Sequence, residues 1–130
     1  MAGMGKRMRP HTLTVPKPLL PVAGKPIVQR LVEDLAKESN EKIEEIAFVV
    51  GRFGLEAEQS LISIAESLGA KGKIFYQDEP LGTGHAILCA KDIVGDEPCA
   101  VVLADEMFKH PSGFLKEMVE YYNEVGGNVI

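Results

Sequence analysis

Gly3, Gly5, Arg7 and Lys17 stand in a stretch punctuated by Pro10, Pro16, Pro18, Pro21 and Pro26. That combination suits a polyphosphate. Glycines let the backbone approach phosphate oxygens and present N–H groups to them. Arg7 can clamp two oxygens at once, and Lys17 can place a compact charge on another. The prolines stiffen the segment, so the charge of Lys17 is positioned before a substrate arrives. On composition alone the same stretch also reads as a basic tail. Two familiar phosphate loops are excluded. Gly3-Met4-Gly5-Lys6-Arg7-Met8 has no third glycine for a dinucleotide fingerprint and no GK(S/T) ending for a P-loop. Further along, Asp105 closes the apolar run Cys99–Ala104. An acid at the carboxyl end of a buried strand sits where open α/β sheets bind ligands, although a turn residue or helix cap looks the same in isolation.

The elements that must position these groups alternate. Residues 1–24 read as a loop fixed by proline and glycine. A helix is expected from Lys25-Pro26, with proline in the first helical position, through Ile27, Leu31 and Leu35 to Ser39-Asn40. Ile46–Val50 is a continuous apolar run closed by Gly51, as for a strand buried on both faces. Leu55 to Leu68 carries apolar residues at helical spacing, and Gly69 stops it. Lys73 to Gln77 reads as a strand, Gly82 to about Ile93 as a helix opened by a glycine-rich turn, and Cys99–Ala104 as a further strand. Pro111 opens a last helix with Phe114, Leu115, Met118, Val119 and Tyr122, and Asn128–Ile130 begins another strand. Helices alternating with apolar strands predict an α/β layered fold with a mainly parallel sheet.

Composition narrows the partners. The net charge of −5 hides a segment, residues 1–32, with six basic residues and no acid, while the rest of the chain has eight bases against nineteen acids. A cationic segment on an acidic body points to a local anion site and argues against a general nucleic-acid surface. No apolar run is long enough to cross a membrane. Five prolines forbid the amphipathic helix of a transit peptide. Cys89 and Cys99 form neither a zinc spacing nor a disulfide framework, which fits a reducing cytoplasm.

The motifs taken together resemble one family. Gly3-x-Gly5-x-Arg7-Met8-x-Pro10, then Pro16-Lys17-Pro18-Leu19-Leu20-Pro21 and Gly24-Lys25-Pro26, are similar to the signature of the sugar-1-phosphate nucleotidylyltransferases, a G-x-G-T-R-(L/M)-x-P loop followed by P-K-P-(L/M)-L-P and G-K-P. Lys6 stands where the family usually has threonine, so a hydroxyl contact is lost there while the backbone N–H remains. Tyr76-Gln77-Asp78-Glu79-Pro80-Leu81-Gly82-Thr83-Gly84-His85 and Val101-Val102-Leu103-Ala104-Asp105 extend the resemblance over nearly the whole chain. Ala104 replaces the usual glycine of a Gly-Asp pair.

The resemblance implies a Rossmann-like, GT-A-like fold and a reaction in which a sugar 1-phosphate attacks the α-phosphorus of an NTP and pyrophosphate leaves. It implies nucleotide contacts from Gly3, Gly5, Lys6, Arg7, Gln77, Gly82 and Thr83, with Gln77 and the Gly-Thr turn reading a pyrimidine edge of dTTP or UTP. Arg7 and Lys17 become the catalytic cations, and Asp105 the ligand of Mg²⁺. An amide side chain can meet a base edge with a donor and an acceptor, which agrees with that role for Gln77. His85 is expected to cap or line the site; Arg52 is left as a loop arginine.

On the same resemblance, residues 1–130 correspond to the nucleotide-binding part of the domain, without the family's first strand and its sugar-binding half. The fold is therefore expected to look cut at both ends, with little or no activity in this chain alone. Homo-oligomers are compatible with the full-length protein. Rival readings are a nucleotide-binding or regulatory homologue without catalysis, and a molybdenum-cofactor cytidylyltransferase, which the Pro-Lys-Pro-Leu-Leu-Pro segment fits less well.

Overall fold

A computed structural model describes residues 15–39, 42–106 and 113–130. At its centre is a β-α-β unit. Strand β3 (Glu45–Val50) and strand β4 (Lys71–Tyr76) pair in parallel, with Phe48 opposite Ile74 and Val50 opposite Tyr76. Parallel neighbours need a crossover, and helix α2 (Leu55–Ser67) supplies it. Phe48 and Val50, two apart and so on one face of β3, pack with Leu61, Ile64 and Ala65 of α2. Gly72 permits that approach. A Cβ there would lie 3.0 Å from the Ile62 Cα and 3.1 Å from the Ala65 Cβ.

Helix α1 (Ile27–Glu38) closes the same core with Val28 and Val32. It is entered through a tiny antiparallel pair, β1 (Pro21–Val22) and β2 (Lys25–Pro26). Ala23 (φ 48°) and Gly24 (φ 82°) turn the chain between them, the positive-φ pair that a two-residue hairpin requires. Arg30 braces this turn by donating from Nε to the Val22 carbonyl at 2.8 Å and from Nη2 to the Ala23 carbonyl at 2.7 Å. Two short helices follow β4, α3 (Thr83–Cys89) and α4 (Lys91–Val94), and α5 (Phe114–Val125) comes last. Its first turn is capped from α1: Glu38 Oε2 accepts from the Phe114 N–H at 3.0 Å and, more loosely, from the Leu115 N–H at 3.5 Å.

The α/β class and the parallel pairing agree with expectation; several element assignments change. Pro26 is extended (ψ 142°) because it pairs in β2, so the helix starts one residue later at Ile27. Strand β4 begins at Lys71, opposite Glu45, and ends at Tyr76, leaving Gln77 just past the ladder. The helix expected from Gly82 to Ile93 breaks at Ala90 (φ −103°, ψ 10°). Ala47 and Val49, on the second face of β3, stay half-buried rather than buried.

The largest change concerns Cys99–Ala104, which is not a strand. Among the described residues β3 pairs only with β4, and no strand lies against the 99–104 run. Without a partner edge, apolar residues there gain neither ladder hydrogen bonds nor burial; Val101 is 56% exposed and Leu103 40%. Asn128–Ile130 likewise has no strand pairing.

Candidate functional site

Lys17 opens a single 3₁₀ turn, Lys17–Leu19, held by the Leu19 N–H on the Pro16 carbonyl (2.9 Å) and the Leu20 N–H on the Lys17 carbonyl (3.1 Å). Pro16 and Pro18 set φ on either side, and Pro18 is buried against the fold. The backbone is therefore fixed while the lysine side chain reaches out. It meets Asp105. Lys17 Nζ lies 2.5 Å from Asp105 Oδ2, across 88 residues of sequence. The Lys17 ammonium, by its hydrogen bond first and its charge second, holds the Asp105 carboxyl below the usual carboxylate range against the opposing effect of partial burial. Asp105 itself sits on a turn after the 98–103 segment, where the Glu106 N–H returns to the Leu103 carbonyl at 3.2 Å.

A second polar cluster lies at the carboxyl ends of β3 and β4. Gln77 is 7% exposed, the one buried polar side chain among the described residues. Its backbone N–H donates to the Val50 carbonyl at 2.8 Å, so the residue is tied to the end of β3. Its side-chain Nε2 lies 3.0 Å from both the Gly82 carbonyl oxygen and His85 Nδ1. Gly82 (φ 99°) turns its carbonyl inward in a conformation open to glycine, and Thr83, exposed, starts α3.

Beside Gln77, Arg52 grips Asp78 with two bonds, Nε to Oδ1 at 2.7 Å and Nη2 to Oδ2 at 3.1 Å. Its guanidinium also lies 4.8 Å from the centre of the Tyr76 ring. The bond to Asp78 raises the Arg52 pKa further. The phenol of Tyr76 is raised too, mainly through a hydrogen bond with Glu58.

The structure thus brings Lys17 to Asp105, and Gln77 to Gly82 and His85. Gly3, Gly5, Lys6 and Arg7 lie outside the described residues. Sequence reasoning passed over the Arg52–Asp78 clamp. Its signal was available: each residue follows the carboxyl end of a strand, where α/β sheets expose side chains to ligands.

No group of three or more His, Cys, Asp or Glu side chains that could cage a metal occurs among the described residues. A single carboxylate does fit Mg²⁺ carried by a polyphosphate, which takes one or two carboxylates and fills its remaining positions with phosphate oxygens and water. Asp105, 52% exposed on its side chain, offers such a carboxylate.

Comparison with known proteins bears on this arrangement. The sequence model of one family, described as "Nucleotidyl transferase", matches residues 1–130. A UTP–glucose-1-phosphate uridylyltransferase, YngB of Bacillus subtilis, is 36% identical over 149 aligned positions covering 99% of this chain and 49% of the relative. The low-salt glycan biosynthesis nucleotidyltransferase Agl11 of Haloferax volcanii is 43% identical over 107 positions, 82% of this chain and 29% of its own length. Among solved structures, a UDP-glucose pyrophosphorylase complexed with UDP-glucose superposes with a TM-score of 0.73 at 35% identity, covering 96% of this chain and 51% of that one. A UTP-bound UGPase from Acinetobacter baumannii gives 0.75 at 30% identity, with the same coverage. The chain spans about half the length of the uridylyltransferases it matches.

Proposed function

The chain belongs to the nucleotidyl transferase family, and from that membership we propose that it handles the NTP in nucleotidyl transfer to a sugar 1-phosphate, giving an NDP-sugar and pyrophosphate. The observation that carries this reading is the meeting of Lys17 with Asp105. Two groups of opposite charge and separate origin converge at one point, and both remain partly exposed to solvent. In-line displacement at phosphorus needs positioning and charge stabilisation more than a covalent nucleophile, and such a pair can supply both.

In this reading Lys17 turns from Asp105 to the phosphates, holding the acceptor phosphate and the α-phosphate together. Asp105, released from the ammonium, would hold Mg²⁺, which would neutralise triphosphate charge. Arg7 stabilises the charge of departing pyrophosphate, and Gly3, Gly5 and Lys6 offer backbone N–H groups to the phosphates. Gln77, Gly82 and Thr83 read the base of dTTP or UTP. Of the two structural relatives named above, one is a complex with UDP-glucose and the other is UTP-bound. The domain is read as the nucleotide-binding part of the enzyme, acting in the cytoplasm; among the described residues no helix is long and apolar enough to cross a membrane.

The test has two readouts. Calorimetry on this chain should detect Mg²⁺-dependent binding of UTP or dTTP. A protein of the relatives' full length that contains this sequence should release pyrophosphate with a panel of NTPs and hexose 1-phosphates. Binding without release for any pair would favour a regulatory homologue, and absence of both would overturn the reading.

A further inference from the structure

The side chain of Gln77 ends in one donor group and one acceptor group, and the fold engages the donor completely. Nε2 has two hydrogens and two neighbours at 3.0 Å, the Gly82 carbonyl oxygen and His85 Nδ1. A carbonyl oxygen can only accept, so the Gly82 contact decides which end of the amide is nitrogen. The second hydrogen then falls to His85. Nδ1 must carry a lone pair to receive it, which puts the proton of the neutral imidazole on Nε2. With the proton on Nδ1, two donors would face each other at 3.0 Å.

We propose that His85 is a positioning residue for base choice, its Nδ1 taking the second Gln77 hydrogen so that the glutamine faces a nucleotide as an acceptor only. The proposal rests on the nucleotide-handling reading above and deepens it. Gln77 Oε1 has no partner among the described residues, whereas both donor hydrogens are engaged. A uracil or thymine ring brings an N3–H to such an oxygen. Cytosine brings a lone pair at the same ring position. Gln77 cannot answer that lone pair by rotating, because a rotated amide would set its oxygen against the Gly82 carbonyl oxygen and against the His85 lone pair together. Oε1, without a partner, is not among the sealed polar atoms and so stays open to a base edge. The glutamine alone could serve either pyrimidine; with His85 and Gly82 behind it, it serves the one with the ring N–H.

The experiment compares UTP and CTP binding, each with Mg²⁺, to the full chain by calorimetry. Wild type should prefer UTP. His85→Phe removes the acceptor and frees one Gln77 hydrogen, so the UTP-to-CTP affinity ratio should fall by about 10-fold, the step set by one hydrogen bond of about 1.4 kcal/mol. His85→Gln, whose side-chain carbonyl can accept the same hydrogen, should keep most of the preference. A role in folding alone would weaken both nucleotides equally, so an unchanged ratio in His85→Phe overturns the proposal. Independently, the ¹⁵N shifts of the His85 ring in the nucleotide-free chain should show protonated Nε2 and bare Nδ1; the opposite tautomer overturns it whatever the variants do. If wild type binds neither nucleotide and the full-length protein releases no pyrophosphate, the functional reading falls and base choice with it, while the ring shifts still decide whether the His85–Gln77 contact is real.

Discussion

Replacing Lys17 with methionine separates a structural role from a chemical one, because the structure predicts very different sizes for the two. The Lys17–Asp105 pair is 32% and 52% exposed on its two side chains. Exposed ion pairs contribute about 0–1 kcal/mol, since water screens the charges and two side chains must be ordered. The substitution keeps the Lys17 carbonyl that accepts from Leu20 and keeps the flanking prolines, so the turn survives. It leaves Asp105 solvated rather than buried without a partner, which avoids the large cost of an orphaned interior charge. Urea unfolding of Lys17→Met should therefore show a loss of about 1 kcal/mol or less. Turnover should respond far more. Removing one preorganised group that stabilises transition-state charge costs about 10²–10³ in kcat, or roughly 3–4 kcal/mol. Pyrophosphate release in the full-length protein would measure it, and kcat should fall with kcat/KM while KM changes little. A variant that loses 2 kcal/mol of stability but keeps near-normal kcat would refute the reasoning and make the pair a structural tie.

Three further outcomes rest on the Asp105 carboxylate, Gly72 and Ala23. Asp105 has its pKa depressed in the folded chain, so the pair contributes in full above the unfolded value of about 3.9 and is lost as pH falls through the lower folded value; the stability gap between wild type and Asp105→Asn, at most about 1 kcal/mol at pH 7, should narrow in urea melts as pH falls below the unfolded value. Gly72→Ala places a methyl group 3.0 Å from the Ile62 Cα and 3.1 Å from the Ala65 Cβ, and this overpacking should cost about 1–3 kcal/mol by the same measurement. Ala23→Gly relieves a left-handed alanine (φ 48°) and should raise stability by up to about 1 kcal/mol, seen as a higher Tm.

Much of this fold was legible in the residues. The apolar run of β3 marks a strand, though one buried on a single face, and the pattern of α2 ending at Gly69 is matched by Leu61, Ile64 and Ala65 in the core. In α1 the stripe of Ile27, Leu31 and Leu35 buries only Leu31, and Val28 and Val32 make the core contacts. Cys99–Ala104 was misread because apolarity records a capacity for burial, whereas a strand also needs a partner edge. Ala90 carries no breaker chemistry, so the division of α3 from α4 had no signal. In the site, the types of Lys17, Gln77 and Asp105 were readable as chemistry one at a time. Their company was not: pairing across 88 residues depends on the path of the chain, and the engagement of both Gln77 hydrogens depends on the inward Gly82 carbonyl.

Glu38 has a consequence beyond capping α5. It fastens the start of that helix to the end of α1, while Lys17, before the start of α1, fastens Asp105. Asp105 and Phe114 are thus each held from the segment that carries α1, one contact before the helix and one at its end, a bivalent attachment. Once either contact forms, the other closes over short intervening stretches, at a high effective concentration and a small entropic cost. A ligand that draws Lys17 away from Asp105 would open one tether and leave the second fastened.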